Sequence, residues 1–291
     1  LLKTFGKSPS LSNHRDDGWI ASPYTEMNAT THKHYVEFDL DRCRENFWKV
    51  YKGESYDLWQ PDSGKYYGYA DPVPVLDWLQ SKRLKSYRQN NHNFYKNFDE
   101  NFINNPDSLS NLQPRIAFRL ISRSTDSRTL RACLVPPKTF HVHSSQLVNI
   151  FSKNKFDEAY LLGVLCSIPL DWYARRFVEI NFTFNYFNSL PIPRVDNDNI
   201  LKKRLVKISG RLASKDERFS LWASQVGVEF GDLKKDEKED KICEIDALVS
   251  ILYGLDESQI IHIFETFHEG WNYQPRMKKV LSHFHFWTKK I

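Results

Sequence analysis

The stretch Phe156 to Val178, FDEAYLLGVLCSIPLDWYARRFV, constrains the chain most, because it is apolar on nearly every side of a helical wheel. A helix that is hydrophobic all round must be enclosed by other elements, so the pattern predicts a central core helix, kinked or interrupted near Pro169. No apolar run reaches the ~18 residues a membrane helix needs, and the first residues lack the layout of a signal peptide. Cys43, Cys133, Cys166 and Cys243 are widely spaced, which suggests neither a disulfide framework nor a zinc knuckle and fits a reduced cytoplasm.

Around this helix the reading is α+β. Residues 1–34 carry little periodicity and read as an irregular lead-in from a neighbouring domain. The sequence begins Leu1-Leu2, which is read as the cut edge of a longer protein. Residues 35–195 read as a mixed, mostly antiparallel β-rich core. Within it YVEFDL (Tyr35 to Leu40) alternates as a short strand, and the aromatic-rich 47–69 segment, punctuated by Gly and Pro, predicts short strands and turns. Pro74 to Gln89 is helical, with Val75, Leu76, Leu79 and Tyr87 set against Lys82, Arg83, Lys85 and Arg88. Asn181 to Pro193 reads as extended. From residue 196 to 291 the pattern turns helical and charged, as a separable tail.

Five arginines fall between Arg115 and Arg131, in RIAFRLISRSTDSRTLRACLVPP. Alternation predicts a hairpin, with Ile116, Phe118 and Leu120 facing the core and Arg119, Ile121 and Arg123 facing away, STDSRT as the turn, a second strand from Leu130 to Val135, and Pro136-Pro137 as its end. Guanidinium forks suit phosphate oxygens and the guanine edge, and a two-stranded ribbon can enter the major groove. The same pattern also suits a solvated strand face balanced by Asp126. The excess of 41 Lys+Arg over 36 Asp+Glu gives a net charge of only +5, so clustering decides its meaning.

Other chemistry finds less support. The eight aromatics of residues 47–69, interleaved with Lys49, Lys52 and Lys65, could stack on bases but equally fill a core. His32/His34, His141/His143 and His283/His285 have i, i+2 spacing without an obvious third ligand, and are treated as structural. The chain has no Gly-rich nucleotide loop, no Gly-x-Ser-x-Gly and no Asn-Pro-Pro-aromatic motif. Its Asp/Glu-x-Lys triplets, at 232–234, 236–238 and 239–241, sit in a charged helical run instead of on a strand, which disfavours a nuclease site.

The order of segments nevertheless resembles a family. The arginine hairpin, LLGVLCSIPLDWYARRFVEINFTFNYFNSLPIP, IDALVSILYGLDESQI, VYKGES and PDSGKYYGYADP together resemble the C-terminal DNA-recognition part of type IIG-like restriction-modification enzymes and related class I adenine-specific DNA methyltransferases with TaqI-like specificity regions. The resemblance covers roughly residues 47–264. It marks Arg119, Arg123, Thr125, Asp126, Arg128 and Thr129 as matching the family's signature, although Leu120 stands where the family commonly has Asp. It implies a recognition piece that contacts duplex DNA through Arg115, Arg119, Arg123, Thr125, Arg128, Thr129 and Arg131, with Lys82, Arg83, Lys85 and Arg88 nearby. S-adenosylmethionine and the methyltransferase chemistry would then belong to an upstream domain of the same polypeptide, and this chain would carry no cofactor or metal. A protein-interaction module of a phage-defence assembly, or a complete nuclease, are the competing expectations.

Overall fold

The computed structural model describes residues 1–89, 94–152 and 154–291. Its strands are β1 (Ile20–Tyr24), β2 (Trp48–Tyr51), β3 (Gly68–Ala70), β4 (Arg115–Arg119), β5 (Ala132–Val135), β6 (Thr139–His141) and β7 (Ser145–Phe151). Its α-helices are α1 (Leu2–Phe5), α2 (Pro72–Gln89), α3 (Glu100–Asn104), α4 (Phe156–Leu165), α5 (Ile168–Ala174), α6 (Phe184–Ser189), α7 (Ile200–Ala213), α8 (Ser220–Val226), α9 (Lys235–Leu252), α10 (Glu257–Glu265) and α11 (Gln274–Thr288). The fold is α+β. An antiparallel sheet runs β1-β7-β4-β5, and a smaller mixed sheet runs β3-β2-β6, with β2 and β6 parallel.

The apolar stretch is two helices. Cys166 closes α4, and Ser167 caps α5 by accepting from the Leu170 N–H at 3.4 Å, with Pro169 in the first turn where its missing N–H is harmless. Residues 157–165 of α4 are all buried, between the sheet residues Ile116, Phe118 and Leu134 and the helices α7 and α9. Gly163 lets α4 approach α7, where Ser209 and Leu205 would meet any added side chain. One buried cluster runs from Phe5 through α4 and α5 to Val280 and Trp287, so the helices after residue 196 share a core with the sheet. Asp246 of α9, fully buried, accepts from the Ile168 N–H at 2.8 Å and pairs with Arg276 of α11 at 2.6 Å, tying three helices together.

The β4–β5 hairpin forms where it was expected and ends before Pro136, with Arg115 opposite Val135 and Phe118 opposite Ala132, but β4 stops at Arg119 and β5 starts at Ala132, so Leu120, Ile121, Arg123 and Leu130 lie in the connecting loop instead of on the strands. Three further segments differ from the sequence reading. YVEFDL does not extend into a strand: its pairing is the isolated bridge of Glu37 with Tyr69, beyond which the Glu37 carboxylate accepts from the Phe38 and Asp39 N–H groups and Asp39 caps the turn at Leu40–Arg42, so side chains take the bonds a longer ladder would use. The 1–34 segment is not simply irregular, because Ile20–Tyr24 forms the edge strand on β7 and Phe5, Leu11, Trp19 and Met27 are buried. Pro23 obscures this strand in the sequence and is tolerated because β1 lies at an edge. Within Asn181 to Pro193, residues 184–189 are helical, capped by Thr183, so that Phe187 can stack on Phe118 at 4.2 Å.

The close approach at Gly163 yields a stability prediction. Gly163→Ala gains at most about 1 kcal/mol of helix propensity, while overpacking a filled core costs about 1–3 kcal/mol. The expected net loss of about 1–2 kcal/mol would appear as a lower urea midpoint with an unchanged m-value.

Candidate nucleic-acid interface

The arginine-rich segment was expected to keep its guanidinium groups on a solvent face, but β4 has no such face. Ile116 and Phe118 pack toward α4, while Ala117 packs with Tyr51, Tyr56, Cys133 and Leu147 on the other side. The arginines are therefore spent on partners within the protein. Arg115 is buried, with Nη1 donating to Glu26 Oε1 at 2.6 Å and to the Tyr24 hydroxyl at 3.1 Å, and Nη2 donating to the Thr139 carbonyl at 2.7 Å. Arg119 donates to the Tyr56 carbonyl and lies 3.5 Å from Asp57. Arg131 grips both oxygens of Asp57, at 2.9 and 2.7 Å.

Arg128 holds the loop between the strands. Its Nε donates to Asp171, and Nη2 donates to the carbonyls of Cys166 and Ser167. The same Asp171 carboxylate, fully buried on α5, accepts from the N–H groups of Thr129 and Leu130 at 3.1 Å. Arg175, which stacks 3.8 Å over the Phe267 ring, donates to the Asp126 carbonyl at 3.4 Å. Burial pulls the Arg175 guanidinium below its ordinary pKa, against the opposing pull of Asp171.

Arg123 is the exception. Its N–H donates to Asp126 Oδ2 at 3.0 Å, and its carbonyl accepts from the Thr129 hydroxyl at 3.0 Å. The Ser122 hydroxyl closes the loop on the Thr129 carbonyl. Both backbone groups of Arg123 are thus fixed by its own loop, whereas its guanidinium is exposed and makes no hydrogen bond, ion pair or ring contact among the described residues. Thr125 is likewise exposed, and Thr129 is buried as part of the scaffold.

On α2 the basic residues also divide. Arg83 is buried, with Nη1 donating to the Ser108 hydroxyl at 2.9 Å and Nη2 to the Asn105 carbonyl at 2.8 Å. Lys82 donates to the carbonyls of Thr25 and Glu26, and burial lowers its pKa. Lys85 and Arg88 are exposed. These α2 residues adjoin Glu26 and hence the first residue of β4, while Arg123 lies beyond its last residue. A five-residue strand spans roughly 15 Å, so the two expected basic groups do not form one patch.

The remaining expectations resolve locally. Of the 47–69 aromatics, Tyr51, Tyr56 and Trp59 are buried, and Trp48, Tyr66, Tyr67 and Tyr69 are half-buried. His141 is buried between Thr139 and Ser145, its pKa held well below the usual value by burial and then by Arg115. His283 and His285 point from α11 to different carboxylates, Asp240 and Glu257. No group of three metal-ligating side chains occurs among the described residues. No helix among them is long and apolar enough to cross a membrane.

Sequence reasoning missed Glu26, Asp57 and Asp171, the carboxylates that engage the arginines. Asp171 left a signal, as a lone acid inside an apolar helix; Glu26 left none in a segment without periodicity.

No family model matches the chain, and no curated protein matches it. Among solved structures, it is similar to the type IIG restriction endonuclease BpuSI, with a TM-score of 0.44 and 14% identity over 86% of this chain and 32% of that one. It is also similar to the type IIL restriction-modification enzyme MmeI in complex with DNA, with a TM-score of 0.41 and 11% identity over 89% of this chain and 36% of that one. The chain thus spans about a third of either enzyme.

The two kinds of arginine predict opposite phenotypes. Arg115→Ala leaves Glu26 buried and uncompensated and should cost about 3–5 kcal/mol in chemical denaturation. Arg123→Ala removes an exposed side chain and should change stability by less than about 0.5 kcal/mol. Equal losses in the two variants would contradict this division.

Proposed function

We propose that the chain is the DNA target-recognition part of a restriction-modification enzyme, steering a methyltransferase domain elsewhere in the same polypeptide. The observation that carries this reading is the presentation of Arg123: a loop clamped to the core by Arg128, Asp171 and Arg175 holds the residue by both backbone groups and leaves its guanidinium free. Fixing the backbone of such a residue beforehand lowers the part of the docking cost that would otherwise go to ordering the loop, while the side chain stays available to a phosphate or a guanine edge. The resemblance of the segment order to the recognition part of type IIG-like enzymes supports the same reading.

In this proposal Arg123 and Thr125 approach the duplex directly, and Lys85 and Arg88 contact phosphates farther along. Arg115, Arg119, Arg128, Thr129 and Arg131 act as scaffold. S-adenosylmethionine would be used by the methyltransferase domain, and the protein would work in the cytoplasm.

A specific observation favours an interaction surface beside the same loop. Ile121 is 60% exposed and pairs with Asn181, next to Ile180 at 57% and Phe177 at 45%. An apolar patch of this kind suits contact with a neighbouring domain or subunit.

Fluorescence anisotropy against random-sequence duplex DNA between about 50 and 200 mM salt tests the main reading. With the three exposed cations Arg123, Lys85 and Arg88 on phosphates, log affinity should fall against log salt with a slope near −3. Arg123→Ala should weaken binding by about 1–3 kcal/mol if it reads a base, and relax preference at one position. A folded protein that shows no binding at the lowest salt, both alone and within its full-length polypeptide, would favour the interaction module.

A further inference from the structure

The last helix carries charge that its surroundings do not balance. No Asp or Glu follows Glu269, while α11 and the two residues after it hold Lys278, Lys279, Lys289 and Lys290. Val280 and Trp287 of α11 are buried and Met277, Leu281 and Phe284 pack against the core, so the opposite side of the helix faces outward. All four lysines are exposed. Lys278 and Lys289, like Lys279 and Lys290, are eleven positions apart. At about 100° and 1.5 Å per residue, each pair returns to within about 20° of one line, about 16 Å along the axis. Lys290 lies 4.1 Å from the centroid of the exposed Phe286 ring, which keeps its ammonium on this side.

The neighbouring helices treat their cations differently. On α7, Lys202, Lys203 and Arg204 pair with Asp157, Asp198 and Glu244, and Lys207 and Arg211 donate to backbone carbonyls. On α9 the lysines are interspersed with carboxylates, and Lys241 pairs with Glu237. The acids that meet α11 are already engaged: Asp246 by Arg276, Asp240 by His283, Glu257 by His285 and Glu244 by Arg204 and Trp287, while Glu239 acts on Arg276. Among the described residues the four lysines make no ion pair and no hydrogen bond. The helix dipole favours Lys289 and Lys290 at the last turn but gives no reason for Lys278 and Lys279 nearer the first.

We infer that this lysine face contacts the phosphate backbone of duplex DNA, as a second surface beside the Arg123 loop. Four cations on one outward face, with no acid left to neutralise them, complement a polyanion, and about 16 Å of duplex carries on the order of ten phosphates. The face is also joined to the loop. Arg175 donates to the Asp126 carbonyl of that loop and stacks on Phe267; Phe267 meets Trp271 at 5.4 Å, and Trp271 meets Tyr273, the residue that opens α11, at 6.3 Å. Ammonium groups hold phosphates as point charges and read no base, so the face adds affinity and register without sequence preference. The inference rests on the reading of the chain as a DNA-contacting part.

Anisotropy of the whole chain on duplex DNA, between about 50 and 200 mM salt, tests the face with two variants of equal charge. One carries Lys278→Gln, Lys279→Gln, Lys289→Gln and Lys290→Gln together; the other carries Lys33→Gln, Lys65→Gln, Lys203→Gln and Lys235→Gln, at lysines exposed elsewhere. With the four α11 lysines added to Arg123, Lys85 and Arg88, the slope of log affinity against log salt should be near −6, and the first variant should return it to near −3. The second variant should keep a slope near −6, and both should keep the parent's melting temperature and sequence preference. A parent slope already near −3 that the α11 changes leave alone would overturn the inference while the role of Arg123 stands. A loss confined to the α11 changes, with Arg123→Ala silent, would sustain the face and overturn the role given to Arg123. Equal weakening of both variants would reduce the effect to net charge and overturn the inference, as would a full-length polypeptide that binds no DNA.

Discussion

The buried Asp171 carboxylate is the interaction on which the arginine-rich region depends. It sits on α5 with no solvent exposure and accepts from Arg128 and from two successive backbone N–H groups, at Thr129 and Leu130. A carboxylate in such surroundings is tolerable only when paired and fully hydrogen-bonded, so it fixes the loop, and the loop in turn fixes it. Because α5 follows α4 after a break of two residues, the loop is in effect attached to the central helix of the core.

The same logic separates the arginines into two populations. Arg115, Arg119, Arg128 and Arg131 each meet a carboxylate or a carbonyl, and these contacts join the hairpin to β1, to the segment after β2, and to α5. Planar guanidinium groups suit this task, since one fork can satisfy several acceptors at fixed angles. Arg123 differs because its loop satisfies its backbone and leaves its side chain outside. A surface for recognition then consists of few groups held rigidly, which is consistent with the modest net charge of the chain.

Much of this architecture is legible in the sequence. All-round hydrophobicity marks α4 and α5 as core, Pro169 marks the break between them, and the 3.6 period marks α9, because burial on every side and a missing N–H act locally. The hairpin is legible for the same reason, through alternation and its closing prolines. What the sequence could not determine is which side of β4 meets solvent: a period of two shows that faces differ, not that a second layer containing Tyr51 and Tyr56 covers the far one. Nor could it reveal that Glu26, some ninety residues away, neutralises Arg115, or that Asp57 takes Arg131. Those pairings depend on distance in space, and only the tertiary structure, by bringing β1, the segment after β2 and α5 around the hairpin, decided which arginine was left free.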